Sequence, residues 1–424
     1  MNMEHNGDED TAARADGQAN ECESRRQKAC DAGQSSAGKQ LDACGTGQAD
    51  ASEQPVVPAG TLSLERAGRV MDNLEKMGMR QLIVADPTSI WYLTKYWNIP
   101  CERFYALYLA REKAGAPVEA TMFCNRLFPD ASGVGAQIIT FDDTENPIPL
   151  VAGMTRHDEP LGVDKVLAAR WLLPLVDAGA ASEFRLGSPA VDDARSIKDA
   201  KELDLMRAAS ATNDQAMAWL RAQVREGVTE HEIAGGLLAE YRRLGAQDHS
   251  FTPIVSFGAN AADPHHEPDG TVLRRGDVVL FDVGCKRDSY CSDMTRAFFW
   301  GEPSEKAREV YETVRRANEA AEAIVRPGVT FAEIDLTARR IIEDAGYGEY
   351  FTHRLGHQIG LEDHEPGDVS SAHDEPVRVG QCFSIEPGIY LPGEVGVRIE
   401  DLLIVTEDGC EVMNRYPKEL TVLE

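Results

Sequence analysis

The stretch VREGVTEHEI, residues 224–233, recurs in altered form as VRPGVTFAEI at residues 325–334. Each copy contains a capping box, in which a threonine and a glutamate three residues later satisfy the first backbone amides of a helix. The two boxes are Thr229 with Glu232 and Thr330 with Glu333. The recurrence predicts two helices with the same start, and therefore two related halves in the C-terminal part of the chain.

The surroundings of the two copies match as well. Each copy begins an amphipathic helical pattern that stops at a glycine, Gly245 in the first and Gly346 in the second. Each is preceded by a long helical segment, which we expect to start near Ile197 in the first half, and each is followed by strand-like segments. Chance reuse of a common helix start is the alternative, and agreement at both helix ends makes it the weaker hypothesis.

Each half also contains a predicted hairpin with one acidic residue on each strand. In the first half, DVVLFDVG carries Asp282, a turn follows at KRDS, and YCSDMTRAFF carries Asp293. In the second half, QCFSIEPGIY carries Glu386, a turn follows at LPGEVG, and GVRIEDLLIV carries Glu400. If the two halves pack about a pseudo-twofold axis, these four acids converge.

A converging group of buried carboxylates requires a positive partner. Ionised carboxylates are costly to bury unless they are paired or bind metal, and one or two divalent cations would neutralise such a cluster. Oxygen ligands with one imidazole suit Mn, Co, Fe or Zn in a two-metal hydrolytic site. Any one acid alone is more typical of a surface position or a salt bridge, which is our interpretation of Asp288, Glu394 and Asp401.

The stretch HRLGHQIGLEDHEP, residues 353–366, supplies the histidines. The glycines that flank His357 argue against a regular helix, and they would allow the backbone to approach a ligand or metal closely. We assign His357 as the imidazole ligand, although a histidine beside glycine is more often a packed residue. We expect His364 near the reacting centre as a proton donor or oxyanion stabiliser, and His353 to support the site or bind substrate.

A second pair, His265 and His266, lies in the turn-rich segment ANAADPHHEPDG before the Asp282 strand. Loops on rigid scaffolds often carry function. We expect one of the two histidines to contact substrate and the other to face solvent.

Composition restricts the class of protein. The chain has 424 residues, enough for two domains, and 42% of them are apolar. The net charge of −28 argues against nucleic acid and anionic membranes as partners. We find no apolar run typical of a secretory signal or a membrane span. The nine cysteines lack CxxC spacing, which favours free thiols and a cytoplasmic protein.

The chain divides into three parts. Residues 1–58 are poor in large apolar residues and are predicted to be a disordered tail, in which a metal or redox role for Cys22, Cys30 and Cys44 is a weak hypothesis. Residues 59–190 are predicted to form an α/β domain, with a helix over residues 62–79 and strands at QLIVAD, ALYLA, ATMFC and QIITF. Residues 197–424 are predicted to form the repeated C-terminal domain.

Five motifs carry a family resemblance: FDVG, SDMTR, GHQIGLEDHEP, SIEPGIY and VRIED. With them, the sequence resembles the pita-bread metallopeptidases, which include Xaa-Pro aminopeptidases, prolidases and methionine aminopeptidases, with creatinase as a relative that lacks the metal. The resemblance covers about residues 62–424. The presence of an N-terminal domain, and its stretch MRQLIVADPTSIWYLTKYW, favour the Xaa-Pro branch.

The resemblance implies an α/β (α+β) fold, with a pita-bread domain of pseudo-twofold halves after a smaller creatinase-like N-terminal domain. It implies two divalent ions, with Mn²⁺ expected and Co²⁺, Fe²⁺ or Zn²⁺ as alternatives, a peptide substrate with proline at the second position, and a homodimer. All five metal-ligand positions of the family are matched, which argues against a metal-free creatinase mechanism. They are Asp282, Asp293, His357, Glu386 and Glu400.

The mechanism implied by the resemblance is attack of a metal-bridging hydroxide on the carbonyl carbon before proline. Glu386 would shuttle the proton, while His265 and His364 would stabilise the oxyanion and the bound peptide. His353 and Arg398 are further substrate-site candidates, and Arg398 also matches an arginine that supports the ligand carboxylates.

One departure from the family pattern leaves the substrate open. Where the family has HGxGHGxG, this chain has HRLGHQIG, with Arg354 and Gln358 in place of glycines near the expected pocket. Hydrolysis of a different C–N bond, in a modified amino acid or a cyclic amidine, is therefore an alternative. Dipeptidase and aminopeptidase action also stay open, since they depend on whether a basic group such as Arg354 or Arg378 closes the pocket.

Two weaker alternatives concern the site itself. A catalytically dead peptide-binding module would be expected to lose ligands, and here all five are present. A cysteine metal site is suggested by Cys285, Cys291 and Cys382, which lie near the acids in sequence. Free cysteines are most often packed as small apolar residues, although their nearness suggests sensitivity to thiol reagents.

Overall fold

The computed structural model describes residues 62–424, and these residues belong to one compact unit. The predicted tail, with Cys22, Cys30 and Cys44, lies outside the described residues. Across residues 62–424, no helix is both long enough and apolar enough to cross a bilayer. The predicted domain division at residues 59–190 and 197–424 stays a prediction.

The first part of the structure is a mixed six-stranded sheet with the strand order β4-β3-β2-β1-β5-β6. Its strands are β1 (Gln81–Val84), β2 (Ala106–Ala110), β3 (Glu119–Asn125), β4 (Gln137–Phe141), β5 (Pro160–Val163) and β6 (Glu183–Leu186). Its helices are α1 (Leu64–Lys76), α2 (Pro87–Thr94), α3 (Ile148–Ala152), α4 (Ala169–Asp177) and α5 (Ser188–Ser196). The four strands and the first helix predicted for this region are confirmed. Helix α1 buries Ala67, Val70 and Leu74, as its 3.6-residue period requires.

Two helix pairs follow, one in each half. They are α6 (Ala200–Gln223) with α7 (Glu230–Arg243), and α8 (Glu305–Ile324) with α9 (Phe331–Asp344). Both predicted capping boxes are present, each with its two reciprocal hydrogen bonds. The predicted helix ends Gly245 and Gly346 have φ of 93° and 85°, a left-handed conformation that favours glycine. The expected start of α6 was wrong by a few residues, because Asp199 caps the helix with its side chain.

The remaining strands form four small sheets, with the orders β11-β10-β7, β20-β12-β9-β8, β14-β13-β15-β18-β19 and β16-β17. The strands are β7 (Asp248–His249), β8 (Ile254–Phe257), β9 (Val278–Val283), β10 (Cys285–Arg287), β11 (Tyr290–Cys291), β12 (Met294–Trp300), β13 (Gly356–Gln358), β14 (Glu365–Val369), β15 (Cys382–Ile385), β16 (Gly388–Leu391), β17 (Val395–Arg398), β18 (Asp401–Val405), β19 (Cys410–Val412) and β20 (Val422–Leu423). Three short 3₁₀ segments complete the structure: Ser132–Val134, Gly258–Ala262 and Gly348–Tyr350.

The two acid-bearing hairpins are present, but their strands are not continuous. In the first hairpin, β9 pairs with β12 away from the turn, and β10 pairs with β11 next to the turn. The second pairs β15 with β18 and, at its tip, β16 with β17. Asp282 lies within β9, whereas Asp293, Glu386 and Glu400 lie in the breaks between strands. The prediction that these three acids sit on continuous strands was therefore wrong.

A strand break leaves backbone carbonyls without ladder partners, and two buried asparagines satisfy them. Asn213 of α6 donates to the Val283 carbonyl at 2.7 Å. Asn318 of α8 donates to the Ile385 carbonyl at 2.9 Å and to the Ile399 carbonyl at 3.3 Å. The two helices thus hold the two broken hairpins in the same way, which supports the pseudo-twofold relation of the halves.

The glycines beside His357 serve the packing of the protein rather than the approach of a ligand. A Cβ on Gly356 would lie 1.9 Å from the Ser384 carbonyl oxygen, and a Cβ on Gly360 would lie 2.8 Å from the Glu365 carboxylate. The expectation that these glycines admit a ligand or metal was wrong, since neighbouring protein atoms fill the space.

We therefore expect Gly356→Ala to destabilise the fold by about 2 kcal/mol or more, because a strand must move to make room. The measurement is the urea midpoint of unfolding. Gly235→Ala is the matched control. Gly235 lies in α7 with nothing within 4 Å of its added Cβ, so alanine should stabilise by about 0.5–1 kcal/mol. Equal midpoints for the two variants would contradict the packing argument.

Candidate active site

A cavity of about 810 Å³ opens between the two halves and is lined by every site residue proposed from the sequence. Those residues are His265, Asp282, Asp293, His353, His357, His364, Glu386, Arg398 and Glu400. The strand breaks explain their meeting, because a break turns the backbone and lets the acids of both hairpins face the same space.

The acids and His357 form a tight cluster at the floor of this cavity. The Nε2 atom of His357 lies 3.6 Å from Asp293 Oδ2 and 3.6 Å from Glu386 Oε1. One ligand atom from each of Asp293, His357 and Glu400 lies within 4.8 Å of the other two. These separations suit side chains that share a cation.

Unpaired oxygens support the same interpretation. Asp282 Oδ1, Asp293 Oδ1 and Glu400 Oε1 are buried and have no hydrogen-bond partner among the described residues. Orphaned buried carboxylate oxygens are costly, and divalent cations prefer such oxygens with a neutral imidazole. The donor set therefore fits divalent metal.

The electrostatics of the cluster also fit a bound divalent metal. Burial and repulsion from neighbouring carboxylates raise the pKa of Asp293 and of Glu400 well above their ordinary values. The same causes raise the pKa of Glu386 to about 8, although Arg398 opposes them. Without a cation, the protein would hold protons on these groups at neutral pH.

His357 is neutral and correctly oriented to act as a ligand. Burial, followed by the nearby His364, lowers the pKa of His357 to about 3. Its Nδ1 lies 3.2 Å from the Gln358 carbonyl, which can only accept, so Nδ1 carries the hydrogen. The lone pair of Nε2 is then directed at the carboxylates, as in metal-bound imidazoles.

Arg398 supports the acids from behind. Its guanidinium is buried, donates to Asp282 Oδ2, and donates to Thr295 Oγ1 at 3.0 Å. Thr295 in turn donates to Glu400 Oε2 at 2.7 Å. Thr295 was not predicted from the sequence, although strict alternation from Asp293 along the strand could have suggested it.

His353 belongs to a chain of hydrogen bonds that starts at Arg398. Arg398 Nη1 donates to the Tyr390 hydroxyl at 2.8 Å. That hydroxyl lies 2.9 Å from His353 Nε2, and His353 Nδ1 lies 2.7 Å from the Arg354 carbonyl. Because burial and nearby Arg398 lower the pKa of His353 to about 4, the ring is neutral and Nε2 accepts from Tyr390. Tyr390 was missed from the sequence.

His364 is one of two exposed histidines that line the cavity. Its side chain is 61% exposed, and its ring centre lies 4.0 Å from that of His357. Burial, then nearby Arg354, lowers its pKa. Beside it lies Asp363, a further cavity carboxylate that the sequence analysis missed, whose pKa is raised to about 7 by burial and by Asp282.

The two histidines of the loop before β9 have different surroundings, and one of them differs from the expectation. His265 is exposed and lines the cavity. His266 does not face solvent freely, because its Nε2 lies 2.7 Å from Glu230 Oε2. Glu230 is buried and also accepts from the amides of Phe257 and Asp269. His266 is thus part of the support of this loop.

Arg354 and Gln358, the two residues that depart from the family pattern, lie in different environments. Arg354 lines the cavity and pairs with Asp368. Gln358 is buried and contacts the Gly367 position instead of the cavity. Arg378 pairs with Asp193 at 2.5 Å and is not among the cavity residues. Of the two basic candidates for closing the pocket, only Arg354 is in place.

The cysteine hypothesis finds no support among residues 62–424. Cys285, Cys291 and Cys382 are free, buried thiols, and no described group of candidate metal ligands contains a cysteine. Burial raises the pKa of these thiols to about 11, 12 and 12, so they react slowly. The buried interpretation is confirmed, and it weakens the expected sensitivity to thiol reagents.

The chain is similar to known peptidases in both sequence and structure. The profile of metallopeptidase family M24 matches residues 204–407. An uncharacterized peptidase of Staphylococcus saprophyticus is 37% identical over 342 residues, covering 79% of this chain and 95% of its own. A prolidase structure from Thermococcus sibiricus is 33% identical with a TM-score of 0.78, covering 85% of this chain and 100% of its own. An X-Pro aminopeptidase structure from Thermotoga maritima is 28% identical with a TM-score of 0.71, covering 83% and 100%.

The raised carboxylate pKa values predict a pH-dependent stability for the metal-free protein. A group whose pKa is raised by folding stabilises the fold below its ordinary pKa and loses that effect as pH rises through the folded value. For Glu386 the window runs from 4.5 to about 8. In chelator, we expect the urea midpoint to be lower at about pH 8 than at about pH 5, and added Mn²⁺ to reduce the difference.

Two variants test the origin of this pH effect. Glu386→Gln should weaken it, because one of the repelling charges is removed. Glu407→Gln alters an exposed glutamate outside the cavity and should leave it unchanged. A midpoint that does not fall toward pH 8 in chelator would contradict the raised carboxylate pKa values.

Proposed function

The chain belongs to metallopeptidase family M24, and on that premise we propose that it hydrolyses the peptide bond before proline. The substrates would be X-Pro dipeptides or peptides with proline at the second position. The observation that carries the proposal is the convergence of four carboxylates and one neutral imidazole on a single cavity, where three carboxylate oxygens have no partner in the described part of the chain. Likeness to a prolidase and to an X-Pro aminopeptidase supports the substrate class.

We infer two divalent ions, with Mn²⁺ as the expected metal, because one divalent cation would leave half of the charge of the four carboxylates unbalanced. Their ligands would be Asp282, Asp293, His357, Glu386 and Glu400. When bound, the ions would polarise the scissile carbonyl and lower the pKa of water, so that a nucleophile forms near neutral pH.

The protein's own groups would carry the proton and the substrate. Glu386 opens into the cavity, and its raised pKa suits a group that accepts a proton from water and gives it to the leaving proline nitrogen. His265 and His364 lie at the cavity wall, where they can donate to the oxyanion. Arg398 would hold Asp282 in place by donating to its carboxylate, and His353 would hold Tyr390 by accepting from its hydroxyl.

A second candidate is hydrolysis of another C–N bond on the same scaffold. Arg354 favours it, because a large cation lines the cavity at a position where the family pattern has glycine. Such a cation could equally bind the carboxylate of an X-Pro dipeptide, which would favour dipeptidase action. A homodimer is part of the proposal through the family likeness alone.

The substrate test uses metal-stripped protein with and without Mn²⁺. The substrates are an X-Pro dipeptide, an X-Pro-Y tripeptide, and an X-Ala dipeptide as control. We expect metal-dependent cleavage of proline substrates only. Cleavage of the dipeptide alone indicates a prolidase, and cleavage of the tripeptide indicates an aminopeptidase. Tight binding of two metals without cleavage of either would refute the peptidase proposal in favour of the other C–N bond.

The role of His364 can be tested separately. We expect His364→Ala to keep two bound metals and to lose turnover by about 100-fold, the usual cost of one oxyanion donor. Metal content and kcat are the two measurements. His231→Ala is the control, because His231 is exposed and outside the cavity. Full activity of His364→Ala would remove His364 from the mechanism.

A further inference from the structure

The loop that carries His364 is closed by a buried carboxylate. Glu365 is 6% exposed, and its Oε1 accepts from the backbone amide of Leu361 at 3.0 Å. In the sheet, Glu365 pairs with Gln358, at a register irregularity next to His357. The glycine at position 360 leaves room for the carboxylate. One side chain thereby fixes both ends of the turn between β13 and β14.

Two buried cations hold this carboxylate. Arg195 Nη2 lies 2.7 Å from Glu365 Oε1, and Lys198 Nζ lies 3.1 Å from Oε2. Both cations are nearly inaccessible to solvent. Burial would raise the pKa of Glu365, but Lys198 and Arg195 outweigh it and lower the value to about 2. The carboxylate is therefore anionic at every pH at which the enzyme would work.

Arg195 also connects this turn to the start of helix α2. Its Nη1 lies 3.3 Å from Asp86 Oδ2 and 3.2 Å from Ser89 Oγ. Asp86 caps the N-terminus of α2 with its side chain. Arg195 also pairs with Glu362 of the loop at 2.6 Å. The turn that carries His364 is thus tied to an element far away in sequence.

His364 depends on this anchoring because its own side chain is weakly held. It is 61% exposed, and its nearest charged partner in the described structure is Asp363 at 3.5 Å. A side chain with so few contacts takes its position from its backbone. That backbone lies between Leu361 and Glu365, the two residues that the carboxylate joins.

We propose that Arg195 and Glu365 are positioning residues for His364, their buried ion pair holding the 361–365 turn so that the imidazole lies beside His357. The proposal rests on the proposed role of His364 in catalysis. It predicts that loss of the pair lowers kcat through His364, while KM and the number of bound metals stay unchanged.

The test is a double-mutant cycle on kcat with Glu365→Gln and His364→Ala. Glu365→Gln alone should lower kcat on the order of 10- to 100-fold, as a misplaced catalytic group does. In the His364→Ala background it should cost less than about 2-fold, because groups that act as a unit are not additive. An equal loss in both backgrounds would overturn the proposal and leave the pair with a structural role only.

Two further variants keep the test decisive. If Glu365→Gln fails to fold, Arg195→Lys keeps the charge but loses the paired nitrogens of the guanidinium, and it enters the same cycle with the same expectation. Glu411→Gln is the control, because it breaks the partly buried pair with Arg207 away from the cavity and should leave kcat unchanged. Full activity of His364→Ala alone would refute the proposed catalytic role, and additivity would refute the positioning role.

Discussion

Mutual repulsion among buried carboxylates is the constraint on which the rest of this structure depends. Asp282, Asp293, Glu386 and Glu400 face one cavity, and three of them present oxygens with no hydrogen-bond partner among residues 62–424. A fold can keep such a group ionised only if its scaffold is rigid and a cation balances the charge. The supporting contacts are accordingly strong: a buried arginine on Asp282 and a threonine hydroxyl on Glu400.

The pseudo-twofold arrangement supplies that rigidity twice. Each half presses a long helix against a broken hairpin, and an asparagine on each helix satisfies the carbonyls at the break. The breaks are not defects. A continuous strand would place alternate side chains on opposite faces, whereas an interrupted strand can turn Asp293 and Glu400 toward the same point. The strand breaks that bring the acids together thus also leave backbone carbonyls without ladder partners, and the asparagines satisfy these carbonyls.

Much of this was accessible from the sequence, because the signals were local. The capping boxes, the glycine helix ends and the apolar strands follow from short-range chemistry, and the five proposed ligands stand in motifs that resemble a family. The strand breaks were missed because apolar alternation continues across them. The roles of His266 and Gln358 were missed because they depend on Glu230 and on the Gly367 position, which are near in space only. Arg195 gives no sequence signal of its partner, since Glu365 lies in a different part of the chain.

The three cysteines near the acids have a consequence for the chemistry of damage. Their thiols have pKa values of about 11 to 12, so at neutral pH about one in ten thousand or fewer is the thiolate that attacks peroxide. Oxidation to sulfenic acid at Cys285, Cys291 or Cys382 is correspondingly slow. Burial alone therefore protects these three thiols under oxidative stress.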